Sequence, residues 1–233
     1  MNPIPFKIGG LQAFSLIDYP GFRSAIIFTQ GCNFRCGYCH NPELTCYGDA
    51  VSYQEEEMVR LLRRRIGKLE GVVITGGEPT LQPGLIRFMR RIKELGYHIK
   101  LDSNGSSPAT LRQALQEGLV DYLAMDIKAP IARYREVSHY QGLIDNIEES
   151  RALLRQGQVP YEFRTTVVKG QLEYHDFEQI GQEIQGSRLY ALQAFIPSKT
   201  VNQEFMDKEA YSDFEMKGFQ TLLNRYVDQC ILR

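Results

Sequence analysis

"SAIIFTQGCNFRCGYCHNP", residues 24–42, sets an apolar run directly against three cysteines in eight residues. Ser24–Thr29 has the continuous hydrophobicity of a strand covered on both faces of a parallel sheet. Cys32, Cys36 and Cys39 follow at once as C-x3-C-x2-C, with Gly31 before the loop and Gly37 inside it to permit a tight backbone. Two metal readings fit this spacing. A [4Fe–4S] cluster is normally held by four thiolates, so three would leave one iron open to an outside ligand. A zinc ion would take the three cysteines and His40; zinc ligands usually come as two knuckles, and no second Cys or His pair is present.

The same layout of strand followed by unusual polar residues recurs along the chain. "GVVIT" (71–75) is a second buried strand and leads into Gly76, Gly77, Glu78 and Pro79. "HIKLD" (98–102) brings Asp102, then Ser103 and Asn104; "YLAMD" (122–126) brings Asp126, then Lys128. "YEFRTTVV" (161–168) and "YALQAF" (190–195) read as further strands. Between them lie amphipathic helices. One follows a capping-box pattern at Ser52–Glu55 and buries Met58, Val59, Leu62 and Ile66. Another buries Leu85, Phe88, Met89, Ile92 and Leu95 before Gly96 stops it, and a third starts with Ser107 and Pro108. Helices over 144–156, 175–185 and 208–225 complete the series. Such alternation predicts one α/β domain, residues 1–233, built on a parallel sheet. The C-terminal ends of its strands share one rim, where loops build active sites, so residues nearly a hundred positions apart converge there. Periodicity leaves an open doubly wound sheet, a barrel and a partial barrel as alternatives.

Composition narrows the function class. The net charge of −1 gives no basis for binding nucleic acid or an acidic membrane, and no stretch has the length of a transmembrane span. "MNPIPFKIGG" lacks the layout of a signal peptide, and five cysteines with three clustered do not make a disulfide framework. A cytoplasmic location is expected. Cys46 and Cys230 read as structural, His98, His139 and His175 as ordinary, and the arginine runs at 60–68 and 87–93 as solvated helix faces.

The cysteine loop, with Tyr38 before its third cysteine, and "GGEP" at 76–79 resemble the two signatures of the radical S-adenosylmethionine (radical SAM) enzymes. "DYPGF" (18–22), "FTQGC" (28–32) and "CHNP" (39–42) narrow the resemblance to the activating enzymes of glycyl radical proteins, and among these to the activators of anaerobic ribonucleoside-triphosphate reductase. The resemblance covers residues 12–170 well. It implies a laterally open, partial (β/α)6 barrel over 24–200, an N-terminal arm or hairpin over 1–23, and a C-terminal helix and tail over 201–233. It implies one [4Fe–4S] cluster on Cys32, Cys36 and Cys39, whose fourth iron is chelated by S-adenosylmethionine. Tyr38, His40 and Asn41 would flank the adenine, and Gly76, Gly77 and Glu78 the methionine. Asp102, Ser103, Asn104, Asp126 and Lys128 would hold the ribose and carboxylate, the two aspartates also bordering a monovalent cation, and Arg164 would make a charged contact to the same ligand. No side chain acts as general base; an electron from flavodoxin or ferredoxin would yield a 5′-deoxyadenosyl radical that takes a hydrogen from a glycine of the partner enzyme. Two other functions remain open at this point: a radical SAM enzyme acting on a small molecule, such as a 7-carboxy-7-deazaguanine synthase, and a non-enzymatic zinc-stabilised module that binds a partner.

Overall fold

The computed structural model describes residues 6–46, 53–197 and 202–233. β1 (Ile8–Ser15) and β2 (Ser24–Thr29) form an antiparallel hairpin. The turn that ends it holds Pro20 and then Gly21 at φ +83°, closed by the Phe22 amide donating to the Tyr19 carbonyl at 3.0 Å, as a type II turn requires. Every later strand is parallel to its predecessor: β3 (Gly71–Gly76), β4 (His98–Ser103), β5 (Tyr122–Asp126), β6 (Tyr161–Val167), β7 (Leu189–Ala194) and β8 (Gln229–Leu232). The spatial order is strictly sequential from β1 to β8, and the sheet does not close into a barrel. A doubly wound sheet would reverse its order part-way, so of the alternatives that periodicity left open, the structure is the laterally open, partial barrel.

Among the described residues seven α-helices run between the strands: α1 (Glu55–Arg64), α2 (Leu85–Glu94), α3 (Pro108–Gln116), α4 (Tyr134–Ser138), α5 (Asp145–Arg155), α6 (Tyr174–Glu183) and α7 (Asp213–Leu223). Three boundaries differ from expectation; α1 ends at Arg64, so Ile66, expected on its buried face, lies beyond it and is exposed. The capping box expected at Ser52 begins outside the described residues; α1 is instead capped by Gln54, reciprocated by Glu57. α7 starts five residues later than expected, because Ser212 and Glu215 form its capping box. Residues 229–232, in the stretch read as a tail, pair with β7 as β8. Among the described residues no helix is long and apolar enough to cross a membrane.

Strand alternation divides the side chains between two faces. Ala25, Ile27, Val72, Ile74, Ile99, Leu101, Leu123, Met125, Phe163, Tyr190 and Leu192 join one core with residues from all seven helices. Each fully buried side chain such as Phe88, Phe163 or Phe177 contributes about 1.5–3 kcal/mol. On the other face a small apolar floor forms from Tyr19, Ile26 and Val73, with Phe22, Phe28 and Tyr122 packed against it. The "DYPGF" turn thus supplies two of the floor's four aromatic rings, Tyr19 and Phe22. Gly71 is required beneath it, since a Cβ there would lie 2.7 Å from the Tyr19 ring. Beside the floor, the buried Glu162 carboxylate accepts two hydrogen bonds from Arg233, at 2.8 and 2.6 Å, and one from the Tyr122 hydroxyl at 3.0 Å. Toward the strand ends this face turns wholly polar, and there the cysteine loop meets it.

Candidate functional site

The loop after β2 is fastened by its backbone. Gly31, at φ +92°, donates to the Leu44 carbonyl at 2.7 Å, and the Cys32 amide donates to Thr45 at 3.1 Å. Arg35 donates from Nη1 to the carbonyls of Cys32 (2.6 Å) and Phe34 (2.8 Å), while the Phe34 ring is buried against Tyr140. Cys36 is buried, and Cys32 and Cys39 are half-buried. Burial pushes the Cys32 thiol up to about 12 and raises that of Cys36, although Lys128 opposes the shift at Cys36. Such thiols stay protonated until a metal displaces the proton.

The loop after β3 is zipped to the first. The Gly77 amide donates to Thr29 at 2.9 Å, and the Glu78 amide donates to the Gly31 carbonyl at 2.8 Å. A Cβ on Gly77 would collide with that same Gly31 carbonyl, so the approach exists only because residue 77 is glycine. Glu78 is 1% exposed. Its carboxylate accepts from the Thr80 amide (3.0 Å), the Thr80 hydroxyl (2.5 Å), the Ser103 hydroxyl (2.8 Å) and the Asn104 amide (2.6 Å). Every donor is neutral. Burial raises its pKa above the ordinary carboxylate value, with these hydrogen bonds working against the shift.

The wall formed by β4, β5 and β6 has the opposite electrostatics. Lys100 donates to Asp102 Oδ1 at 2.6 Å, and Lys128 to Asp126 Oδ2 at 3.0 Å. Arg164 donates to both aspartates, from Nη1 to Asp102 Oδ2 at 3.1 Å and from Nε to Asp126 Oδ1 at 3.0 Å. Burial alone would raise both carboxyls. The neighbouring cations outweigh it, lowering Asp102 and bringing Asp126 down to about 2. Burial pulls Lys128 down, yet Asp126, Tyr38 and Cys36 together outweigh it and hold the ammonium well above its ordinary value.

At the far end of the pocket the His40 ring stacks on Phe195, with centroids 5.5 Å apart, and its Nε2 lies 3.1 Å from the Ile196 carbonyl. Tyr38 is buried, its hydroxyl without a hydrogen-bond partner among the described residues and its ring 5.9 Å from Lys128 Nζ. One cavity is lined by Cys32, Cys36, Cys39, Tyr38, His40, Asn41, Gly76, Gly77, Glu78, Asp102, Ser103, Asn104, Asp126, Lys128 and Arg164. These are the residues singled out from the sequence. Among the described residues no three His, Cys, Asp or Glu side chains stand together as a mononuclear metal site. Sequence reasoning missed Phe34, Thr45, Thr75 and Thr166 in the lining, and Lys100 behind it. Lys100 and Thr166 share strand parity with Asp102 and Arg164, a signal that alternation in β4 and β6 already carried.

Comparison with known proteins agrees with this layout. The profile of the Radical SAM superfamily matches residues 26–184. The chain is 30% identical over 233 residues to a protein of Methanocaldococcus jannaschii provisionally named a glycyl-radical enzyme activating enzyme, covering 97% of this chain and 95% of that one. It is 34% identical over 129 residues to the pyruvate formate-lyase-activating enzyme of Clostridium pasteurianum, 52% of each chain. The crystal structure of QueE from Escherichia coli shares the fold, with a TM-score of 0.61 and 15% identity over 98% of this chain and 94% of its own.

Proposed function

The chain belongs to the radical SAM superfamily, and from that membership we propose that it activates a glycyl radical enzyme, anaerobic ribonucleoside-triphosphate reductase, in the cytoplasm. The family implies an enzyme with a [4Fe–4S] cluster and S-adenosylmethionine, and the zinc-stabilised, non-enzymatic reading falls with it. Support for the activating role comes from the relatives and from "DYPGF", "FTQGC" and "CHNP". The observation that carries the reading is the hydrogen bond from the Glu78 amide to the Gly31 carbonyl, which ties the cysteine loop to "GGEP" at the edge of one cavity.

The residues fit the implied groups. Cys32, Cys36 and Cys39 would hold a single cluster; Cys46 is exposed, and we assign it no ligand role. A zwitterionic amino acid finds complementary walls: Glu78, held only by neutral donors, suits its ammonium, and Lys128 and Arg164 suit its carboxylate. Gly76 and Gly77 would let the backbone approach the methionine, Ser103 and Asn104 would offer polar contacts to the ribose, and Tyr38, His40 and Asn41 would flank the adenine. When bound, the cluster and S-adenosylmethionine supply a reductively generated 5′-deoxyadenosyl radical, the electron coming from flavodoxin or ferredoxin. The chain's own task is to orient that ligand, exclude water and admit a glycine-bearing strand at the cavity mouth.

The test is anaerobic incubation of the iron- and sulfide-reconstituted protein with S-adenosylmethionine, reductant and anaerobic ribonucleoside-triphosphate reductase. A glycyl-radical EPR signal on the reductase, with matching 5′-deoxyadenosine, is expected. A radical formed only on pyruvate formate-lyase would reassign the partner. Cleavage of S-adenosylmethionine that puts no radical on any glycyl radical enzyme would refute the activating role.

A further inference from the structure

Asp102 and Asp126 stand where the resemblance to activating enzymes implies a monovalent cation, and the side chains around them do not fit one. All four of their carboxylate oxygens already take a cationic donor: Lys100 and Arg164 on Asp102, Arg164 and Lys128 on Asp126. Three cations face two carboxylates, a surplus of one positive charge. A sodium or potassium ion, held by oxygen ligands, would have to share carboxylate oxygens that each already accept from a cation, and to lose its hydration beside three like charges.

We propose that the Arg164 guanidinium itself occupies the role of that cation, so that ligand binding in this pocket is independent of sodium and potassium. The inference rests on the S-adenosylmethionine reading of the pocket. The sheet register sets it up. Arg164 on β6 is the register partner of Asp126 on β5, and the Ile127 amide donates to the Arg164 carbonyl at 2.7 Å. Asp102 on β4 is the register partner of Ala124, two residues back along β5 on the same face. The guanidinium therefore reaches past a methyl group to the second aspartate, and its planar fork serves one carboxylate from Nε and the other from Nη1. Glu162, two residues before Arg164 on the same strand face, is occupied by Arg233 and Tyr122 and does not compete for it. A lysine at 164 would bring a single ammonium and could not match the fork.

The experiment compares choline, sodium and potassium chloride at equal ionic strength. One arm measures S-adenosylmethionine affinity by isothermal titration of the reconstituted protein; the other measures the melting temperature of the full chain without ligand. Wild-type affinity should change by less than about twofold among the salts, and its melting temperature should not distinguish them. Arg164→Gln, which frees two facing carboxylates, should bind about tenfold more weakly in choline and recover part of that loss, and part of its melting temperature, in potassium or sodium. A wild-type protein that gains about tenfold in affinity, or melts higher, with either alkali cation would overturn the proposal. If Arg164→Gln does not fold, the wild-type arms decide. If wild-type protein binds no S-adenosylmethionine in any salt, the ligand assignment fails, and the melting arm still judges Arg164.

Discussion

Two carboxylate sites face each other across one pocket and are held by opposite means. Glu78 is buried among two amides and two hydroxyls, and burial leaves its pKa raised. Asp102 and Asp126 are enclosed by Lys100, Lys128 and Arg164, and both are lowered. Carboxylates on one pocket thus acquire opposite tendencies, because one set of donors is neutral and the other charged. The first wall is short of positive charge and the second has an excess. A ligand with an ammonium at one end of its amino acid and a carboxylate at the other satisfies both at once.

The largest effect comes from removing what both walls serve. Cys36→Ala should abolish reductive cleavage of S-adenosylmethionine, read as 5′-deoxyadenosine formed per protein; surviving cleavage would refute the cluster assignment. Next, Asp102→Ala breaks a buried ion-pair network and should lower unfolding stability by about 3–5 kcal/mol in denaturant titration. Glu78→Gln should behave oppositely. It removes a charge that no cation compensates, so melting should not fall much, while S-adenosylmethionine affinity drops roughly 30–100-fold. If Glu78→Gln proved as destabilising as Asp102→Ala, the distinction between the walls would collapse.

The smallest effect is a pH signature. The stability that Asp126 contributes is fully present above the unfolded carboxyl value of about 3.9 and is lost as pH falls through about 2, in total about 2 kcal/mol. Glu78 has the reverse sign: its raised pKa opposes folding above that pKa, and the penalty is relieved as pH falls toward the unfolded value. Stability should therefore rise slightly on mild acidification and fall below about pH 4. Glu78→Gln should remove the rise, and Asp126→Asn should reduce the fall.

Much of this was readable in the sequence because strands buried on both faces are conspicuous. Ser24–Thr29 and Tyr122–Asp126 match the observed strands residue for residue, and the polar residues after each strand end gather where a parallel sheet brings them. β8 escaped notice because "QCIL" is too short to show a period. α4 escaped because its five residues give barely one turn. The charged wall lay beyond sequence reasoning for a different reason. Arg164 reaches Asp102, 62 positions away, only through the register of β4, β5 and β6, which pattern does not reveal. Lys100, two residues before Asp102 on the same face of β4, needed no register and was within reach of the strand's alternation. Phe195, read only as the end of a strand, supplies the ring that stacks on His40.

The most direct measurement is the EPR spectrum of the anaerobically reconstituted, reduced protein, recorded with and without S-adenosylmethionine. A [4Fe–4S] signal that the ligand perturbs is the predicted result. A protein that binds one zinc tightly, with no cluster signal under either condition, would contradict it.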